Sequence, residues 1–515
     1  MRTLAGLLLI FFILSANAQT ADAKEQRSDR MTRLFLQQVS STGAIVRWRG
    51  QGTRLSYGVS RDTLETEVTA EADGDHMTAQ LRGLMPDQTY YYQINDAPEP
   101  AWTGSFQTAP SAGQSPNDGN IRVWLLGDSG TESEESRGHF PYQGQAAKVR
   151  EGFKRFQANQ GQSEPIDLIL LLGDNAYLEG TDLQWQRSFF EIYAADIKGA
   201  GVWPTIGNHE MGLGQPIDLC SFRPMPACEK GPVMVRFGGV SESSDPNSYD
   251  SDGNGPDEGG LPYLNIFTLP TDGELGGSPS HTEQYYSFDY GNLHVVSLDS
   301  QLSNRDPAQR AVMRDWLIRD LSASGADWTI VFFHHPPYSK GENHDSDREQ
   351  NEIDMRTTFG PVFENYGVDA VYSGHAHSYE RSWYLRGHQG PSTEFSVTKH
   401  AARDDQNQAT FGSEDLPYLQ AKGMNRGRTI YTVAGTGGKA DGYHPCAEGQ
   451  YLGCTTPDWL MHPAHRTFNP TMTDYRPNGI AKKGTVLLDV GPETFSSRFI
   501  DEEGQVLDHF VIQRQ

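Results

Sequence analysis

Five apolar runs, each ending in a compact polar cluster, constrain this chain more than any other feature. Ile121 to Leu126 leads into Gly127-Asp128-Ser129-Gly130, Ile166 to Leu172 into Gly173-Asp174-Asn175-Ala176-Tyr177, and Val202 to Ile206 into Gly207-Asn208-His209-Glu210. Trp328 to Phe333 runs into His334, and Val368 to Tyr372 precedes Gly374-His375-Ala376-His377. Short runs of this kind read as strands buried on both faces, and an open α/β sheet gathers its ligands just beyond the carboxyl ends of its strands. The clusters are therefore expected to converge at one sheet edge, whatever their separation along the chain. Glycine beside a cluster lets the backbone turn sharply and approach a bound group closely. Among the residues of these clusters are two aspartates, a tyrosine, an asparagine and three histidines. That set suffices for two adjacent metal ions.

Between the strands, Gln143 to Gln157, Asp182 to Ile197, Pro307 to Ser322 and Met355 to Tyr366 have apolar positions near helical spacing. Two stretches interrupt the alternation. Residues 212–277 are crowded with Gly, Pro, Ser, Asp and Asn and read as a long surface insertion, and 386–428 form a second polar one. Inside the first, Asp250-Ser251-Asp252-Gly253-Asn254-Gly255 resembles the start of a calcium loop. Its twelfth position is Leu261, which lacks the bidentate carboxylate of an EF-hand, so a solvated acidic loop is expected.

Residues 30–110 have a different rhythm. Ala44 to Trp48, Arg54 to Gly58 and Thr89 to Ile94 are short strand-like segments separated by Gly, Asp and Pro turns, which indicates a β-sandwich. Residues 111–120, rich in Gly, Ser, Asn and Pro, read as a linker to a unit spanning 121–515. A chain of 515 residues accommodates two domains.

The order and identity of the five clusters resemble the metallophosphoesterases of the calcineurin-like superfamily. Tyr177, three residues after Asp174, makes the resemblance one to the purple acid phosphatases. Trp48, the Leu84-Met85-Pro86 step and Phe106-Gln107-Thr108 are similar to a fibronectin type III-like module, which the larger members of that family carry before the catalytic domain. The fold so implied is an α/β (α+β) sandwich of mixed β-sheets flanked by helices, preceded by a small all-β sandwich. The resemblance assigns Asp128, Asp174, Tyr177 and His377 to a first ion, and Asp174, Asn208, His334 and His375 to a second, with Asp174 as the bridge. Hard carboxylate and phenolate oxygens favour Fe(III) at the first site; imidazole and amide suit a divalent Zn, Fe or Mn ion at the other. The expected nucleophile is a hydroxide held on the ions rather than a side chain.

His209 and His344 match histidines that orient phosphate and assist leaving-group departure in relatives. Glu210 could accept a hydrogen bond from a site histidine, and His335 should point away if His334 points in. The activity implied is hydrolysis of small phosphate monoesters with an acidic optimum. A phosphodiesterase or nucleotidase using the same ions is the first alternative. A metal-bound binding protein without turnover is the alternative of another class.

Charge and the N-terminus narrow the setting. With 42 Lys+Arg against 67 Asp+Glu the net charge is -25, which argues against nucleic-acid backbones as routine partners. No Gly-x-x-x-x-Gly-Lys-Ser/Thr loop is present to cradle a nucleotide. Arg2, the apolar run Leu4 to Leu14 and Ala16-Asn17-Ala18 have the three-part pattern of a secretory signal, expected to be residues 1–18. No later run is long enough to span a membrane, so the mature protein is expected to be secreted or periplasmic. In an oxidising compartment the simplest pairing is local, Cys220 with Cys228 and Cys446 with Cys454. Four cysteines allow other connectivities, and a zinc site is the rival reading. Oligomeric state is left open.

Overall fold

The structure is a computed structural model. It describes residues 32–96, 102–132, 145–161, 165–213, 217–218, 231, 234–235, 243–341, 344–404, 406–407, 409–422, 427–440, 459–466, 475–476 and 478–514. The expected signal segment and all four cysteines lie outside the described residues.

The five apolar runs are strands, and they belong to two sheets rather than one. In the first, Ile121–Leu126, Leu168–Leu171 and Gly201–Pro204 lie parallel, with all but Arg122 buried. In the second, Leu293–Ser297, Trp328–Phe332, Ala370–Ser373 and Ile430–Ala434 run parallel in that order. The first sheet continues antiparallel through Gly484–Val490, Thr494–Asp501 and Val506–Gln513. The expectation of one sheet edge is thus corrected: two sheet edges meet.

Side-chain alternation explains why both sheets hold together. Val295, Ile330, Phe332, Ala370, Tyr372 and Ile430 face the core shared with the first sheet. Their neighbours Val296, Val331, Val371 and Tyr431 face the other way, onto Met313, Trp316 and Leu317 of helix Pro307–Ala323 and onto Phe359 and Phe363. A strand with both faces apolar must be covered twice, by a second sheet inside and helices outside. On the first sheet, Trp124 stacks on Phe153 of helix Gln145–Asn159, with ring centroids 4.3 Å apart.

Not every helical stretch is regular. Asp182 to Ile197 is α-helical only over Asp182–Trp185, capped by Thr181, and widens into a π turn over Gln186–Phe190. Adjacent Phe189 and Phe190 are both buried with Trp185 and Tyr193, and a widened turn brings neighbouring side chains onto one face. The helical stretch expected from Met355 starts earlier, at Gln350–Asp354, and also passes through a π turn, over Met355–Phe359.

The N-terminal strands form a small all-β region. Arg54–Gly58, Thr66–Thr69, Thr89–Ile94 and Thr103–Gln107 make a four-stranded sheet. Thr32–Gln37, Gly43–Arg49, His76–Arg82 and Glu71–Asp73 extend the first large sheet, because Thr32–Gln37 pairs in parallel with Gly201–Pro204 at Leu36 and Gly201. Arg33 and Arg49 both reach Asp182, at 2.6 and 2.7 Å.

The first polar insertion is only partly a surface feature. Among its described residues, Tyr249, Leu261, Tyr263, Ile266, Phe267 and Leu269 are buried, and Tyr263 donates to the Pro204 carbonyl at 2.9 Å. The aromatic and aliphatic residues dispersed among its glycines are what pin it down. In the acidic loop, Asp250 accepts from the Gly253 and Gly255 amides at 2.6 and 3.2 Å. The second insertion ends in Tyr418–Leu419, an edge strand parallel to Val506–Gln513. Among the described residues no helix is long and apolar enough to cross a membrane.

His294 ties strand to helix and gives the fold a pH dependence. Its Nδ1 meets Asp289 at 2.7 Å and its Nε2 meets Asp320 of helix Pro307–Ala323 at 2.8 Å. Burial lowers the imidazole, but the two carboxylates outweigh it and raise it from 6.5 to about 9. A raised folded value stabilises fully below the unfolded value of about 6.5 and is lost as pH rises through about 9. His294→Gln is expected to cost about 3 kcal/mol at pH 6, where it leaves the buried Asp320 and the half-buried Asp289 without their cation. Melting curves of both proteins from pH 6 to 10 check this: the gap should shrink across that window, and a constant gap would refute the charge assignment.

Candidate metal centre

Each cluster sits where its strand ends. Asp128, Asp174 and Asn208 follow the three parallel strands of the first sheet; His334, His375 and His377 follow those of the second. Asp128, Asp174 and His375 have φ of 55°, 55° and 69°, which places three of the nine non-glycine residues with positive φ among the described residues at this point. Such conformations cost on the order of 1–3 kcal/mol each and persist where surrounding structure over-determines them. The expected sharp turn at glycine is found at Gly173, with φ 88°. Gly374 serves close approach instead: a Cβ there would lie 2.4 Å from Asp128 Oδ2.

All seven ligand candidates are brought together. Tyr177 Oη donates to Asp128 Oδ1 at 2.9 Å, and His377 Nε2 lies 3.5 Å from the same oxygen. The His375 amide donates to Asp128 Oδ2 at 2.8 Å. Asp174 stands between the groups, its Oδ2 at 3.3 Å from His334 Nε2 and its Oδ1 accepting from the His209 amide at 2.8 Å. Asn208 Oδ1 is 2.9 Å from His334 Nε2 and 2.9 Å from His375 Nδ1, and the two nitrogens are 3.2 Å apart.

That triangle fits a cation. The Leu172 carbonyl, 2.9 Å from His334 Nδ1, can only accept, so Nδ1 carries the hydrogen and Nε2 presents a lone pair. Glu349 Oε2, 2.9 Å from His375 Nε2, likewise accepts and leaves a lone pair on His375 Nδ1. Three lone pairs then face one another. Neighbouring ligands on an ion with bonds of about 2.1 Å lie about 3.0 Å apart at octahedral angles and about 3.4 Å at tetrahedral ones, and the spacings found, 2.9, 2.9 and 3.2 Å, are close to the first. The side chains themselves draw positive charge to this point: burial lowers the His334 imidazole, but Asp174 outweighs it and raises the ring to about 9. Burial raises Asp174 in turn, and His334 and His209 override it and hold the carboxyl well below its ordinary value.

The flanking residues divide into those placed as expected and those not. His209 donates from Nδ1 to the Leu178 carbonyl at 2.8 Å, turning Nε2 toward Asp174 Oδ2 at 4.0 Å. Burial lowers this imidazole to about 4, with Asp174 opposing the shift and Lys439 adding to it. His344 lies over His375, ring centroids 3.8 Å apart, and 5.9 Å from His377. Glu210 does not hold a histidine. One of its oxygens accepts from the Gly207 and Asp174 amides at 2.7 and 2.8 Å, and the other from Asn175 at 2.8 Å, so it clamps two ligand loops through their backbones. Burial and Asp174 push Glu210 up to about 8, and its amide bonds pull the other way. His335 does not turn away either. The strand ends at Phe332, alternation lapses, and the His335 ring packs 4.4 Å from His375 while its Nδ1 meets Ser300 Oγ at 2.9 Å.

Two residues at the site were not anticipated. Glu349 bridges His344 Nδ1, at 2.8 Å, and His375 Nε2, at 2.9 Å. Lys439 is buried with its ammonium 4.3 Å from the Tyr177 ring centroid. The signal for Lys439 is in the chain: Ile430 to Ala434 followed by Gly435-Thr436-Gly437-Gly438 repeats the strand-then-glycine pattern of the other clusters. Glu349 has no such signal, since the strand pair Lys340–Gly341 and His344–Asp345 must fold back before it arrives.

Two packed sheets whose strand ends meet over buried carboxylate, phenol, amide and imidazole groups define a metallophosphoesterase. The family model described as Calcineurin-like phosphoesterase matches residues 121–379, and the chain belongs to that family. An uncharacterized protein of Mycobacterium tuberculosis is 31% identical over 394 residues, 69% of this chain and 62% of that protein. Purple acid phosphatase 15 of Arabidopsis thaliana is 25% identical over 317 residues, 59% of this chain and 48% of its own. The chain thus spans less than two thirds of the length of these relatives. Among solved structures, a purple acid phosphatase from yellow lupin seeds superposes with TM-score 0.59 at 17% identity, over 95% of this chain and 75% of that one. PhoD superposes with TM-score 0.55 at 13% identity, over 93% and 89%. Both likenesses are of fold.

Proposed function

We propose that this chain is an exported hydrolase of small phosphate monoesters. Asp128, Asp174, Tyr177 and His377 would hold Fe(III), and Asp174, Asn208, His334 and His375 a divalent zinc, iron or manganese ion. The observation that carries the reading is the triangle of facing lone pairs on Asn208, His334 and His375, with Asp174 Oδ2 3.3 Å from His334 and ligand atoms of Asp128, Asp174 and His334 within 4.8 Å of one another. Two ions bound there supply Lewis acidity to the phosphoryl oxygens and lower the pKa of a water.

The rest is done by the chain. Asp174 would be shared between the two ions, and Glu210 keeps its loop and that of Asn208 in register. His209, in the turn Asn208–Met211, and His344, in the short strand His344–Asp345, border the cluster from two separate segments, suited to orienting a phosphate and assisting its leaving group. Lys439, beside Tyr177, adds a cation in a buried setting where charge acts strongly, favouring a dianionic monoester over a singly charged diester. Arg2, the run Leu4 to Leu14 and Ala16-Asn17-Ala18 support export.

The test is hydrolysis of nitrophenyl phosphate beside its bis-ester by protein of known metal content. A monoester kcat/KM at least about tenfold higher, a difference of about 1.4 kcal/mol in barrier, is expected. A diester preference would make the enzyme a phosphodiesterase, and two bound ions without turnover of either ester would make it a binding protein.

A further inference from the structure

Glu349 lies fifteen residues after His334, outside all five strand-end clusters, yet its carboxylate sits against two of the site's imidazoles. Oε2 is 2.9 Å from His375 Nε2 and Oε1 is 2.8 Å from His344 Nδ1. The two rings are tilted by 45° with centroids 3.8 Å apart, close enough for one carboxylate to reach a nitrogen of each. An ionised carboxylate only accepts, so each imidazole must carry its hydrogen on the nitrogen that faces Glu349. The other nitrogen of each ring is thereby assigned. His375 Nδ1 becomes the lone pair directed at Asn208 Oδ1 and His334 Nε2. For His344 the ring is fixed with Nε2 on the side away from Glu349.

We propose that Glu349 is a positioning residue that sets the tautomer of a metal-ligand histidine and the orientation of a leaving-group histidine with a single carboxylate. The proposal rests on the reading of His375 as a ligand and of His344 as the group that hydrogen-bonds the leaving-group oxygen. Coupling of this kind has a physical consequence. A carboxylate behind a ligating imidazole raises its basicity and holds its ring, and losing such a partner costs about 10–100-fold in metal affinity or activity. Here the same loss also frees His344, so it should be felt most where the leaving group needs most help. His335, packed on the other side of His375 and bonded to Ser300, has no carboxylate contact of this sort among the described residues and keeps its place when Glu349 is changed.

Three variants test this. Glu349→Ala removes both bonds; Glu349→Gln keeps the shape but offers an amide hydrogen to one imidazole; Glu349→Asp keeps the charge but not the reach to both rings. The first readout is zinc retained per chain during dialysis against graded chelator, which needs no turnover. The second is kcat and KM for nitrophenyl phosphate and for an alkyl phosphate such as glycerol phosphate. For Ala and Gln the expected results are zinc lost at about 10–100-fold lower chelator concentration and a kcat that falls several-fold further on the alkyl ester, with KM little changed. Asp is expected to regain zinc but not the alkyl-ester rate. Wild-type zinc retention in Ala and Gln, or equal loss of kcat on both esters, overturns the proposal, as does full recovery of both readouts in Asp. If the wild-type protein turns over neither ester, the phosphatase reading fails, and the zinc readout still decides whether Glu349 sets the His375 tautomer.

Discussion

Asp174→Asn protein is expected to lose at least about a thousandfold in kcat/KM on a nitrophenyl monoester, about 4 kcal/mol of barrier, while keeping its fold. The substitution is isosteric, and the amide can still accept the His209 N–H that Asp174 Oδ1 now takes at 2.8 Å. What it cannot keep is the second oxygen. That atom faces His334 Nε2 at 3.3 Å, and an amide NH2 there would meet a ring whose lone pair is meant for a cation. Since removing a supporting partner behind a ligand already costs about 10–100-fold, removing the shared ligand should cost more. Metal analysis should find fewer than two ions per chain. A variant with both ions and activity within about tenfold of wild type, a loss below 1.4 kcal/mol, would sink the bridging role.

Glu210→Gln should act on stability and metal binding together, although this side chain touches neither ion pocket directly. One carboxylate oxygen takes the Gly207 and Asp174 amides and the other takes Asn175. An amide satisfies only one side and turns its own N–H groups against a backbone N–H on the other. A hydrogen bond contributes about 0.5–1.5 kcal/mol net, and a buried donor left unpaired costs about 1–3 kcal/mol. A loss of about 2–3 kcal/mol is therefore expected by thermal or urea unfolding, with zinc affinity reduced about 10–100-fold because the loops of Asp174 and Asn208 lose their common anchor. Unchanged melting would show that backbone geometry alone holds the two loops together.

Much of this was legible in the sequence for a simple reason. A strand buried on both faces is an unbroken apolar run, so Ile121–Leu126 and Trp328–Phe332 announce themselves, and a polar cluster at their ends is local information. Helix Pro307–Ala323 is equally plain, with Asp306 capping and Pro307 in the first turn. What could not be read is what depends on packing between distant segments. The π turn at Gln186–Phe190 answers a demand from the core to bury adjacent phenylalanines, which helical periodicity does not encode. Partition of the ligands between two sheets depends on strand order rather than on any run. Glu210 contains the right residue at a motif position, but its partners are backbone amides, and backbone geometry leaves no trace in residue type. His335 departs from alternation because the strand stops three residues earlier. Glu349 depends on a chain reversal whose strands are each two residues long.

The parallel pairing of Thr32–Gln37 with Gly201–Pro204 has a consequence for how this chain can evolve or be trimmed. A module joined by a tether can be deleted, swapped or duplicated, and its neighbour keeps its own surface. Here the border strand of the metallophosphoesterase sheet is completed by the N-terminal region, and the guanidinium groups of Arg33 and Arg49 close over Asp182 at the same seam. Cutting at the seam would leave the edge of Gly201–Pro204, which meets Thr32–Gln37 at Leu36 and Gly201, without its neighbour, and an open strand edge invites strand addition between molecules. Covering that strand edge is by itself a reason for the N-terminal β region to be retained, and it requires no ligand.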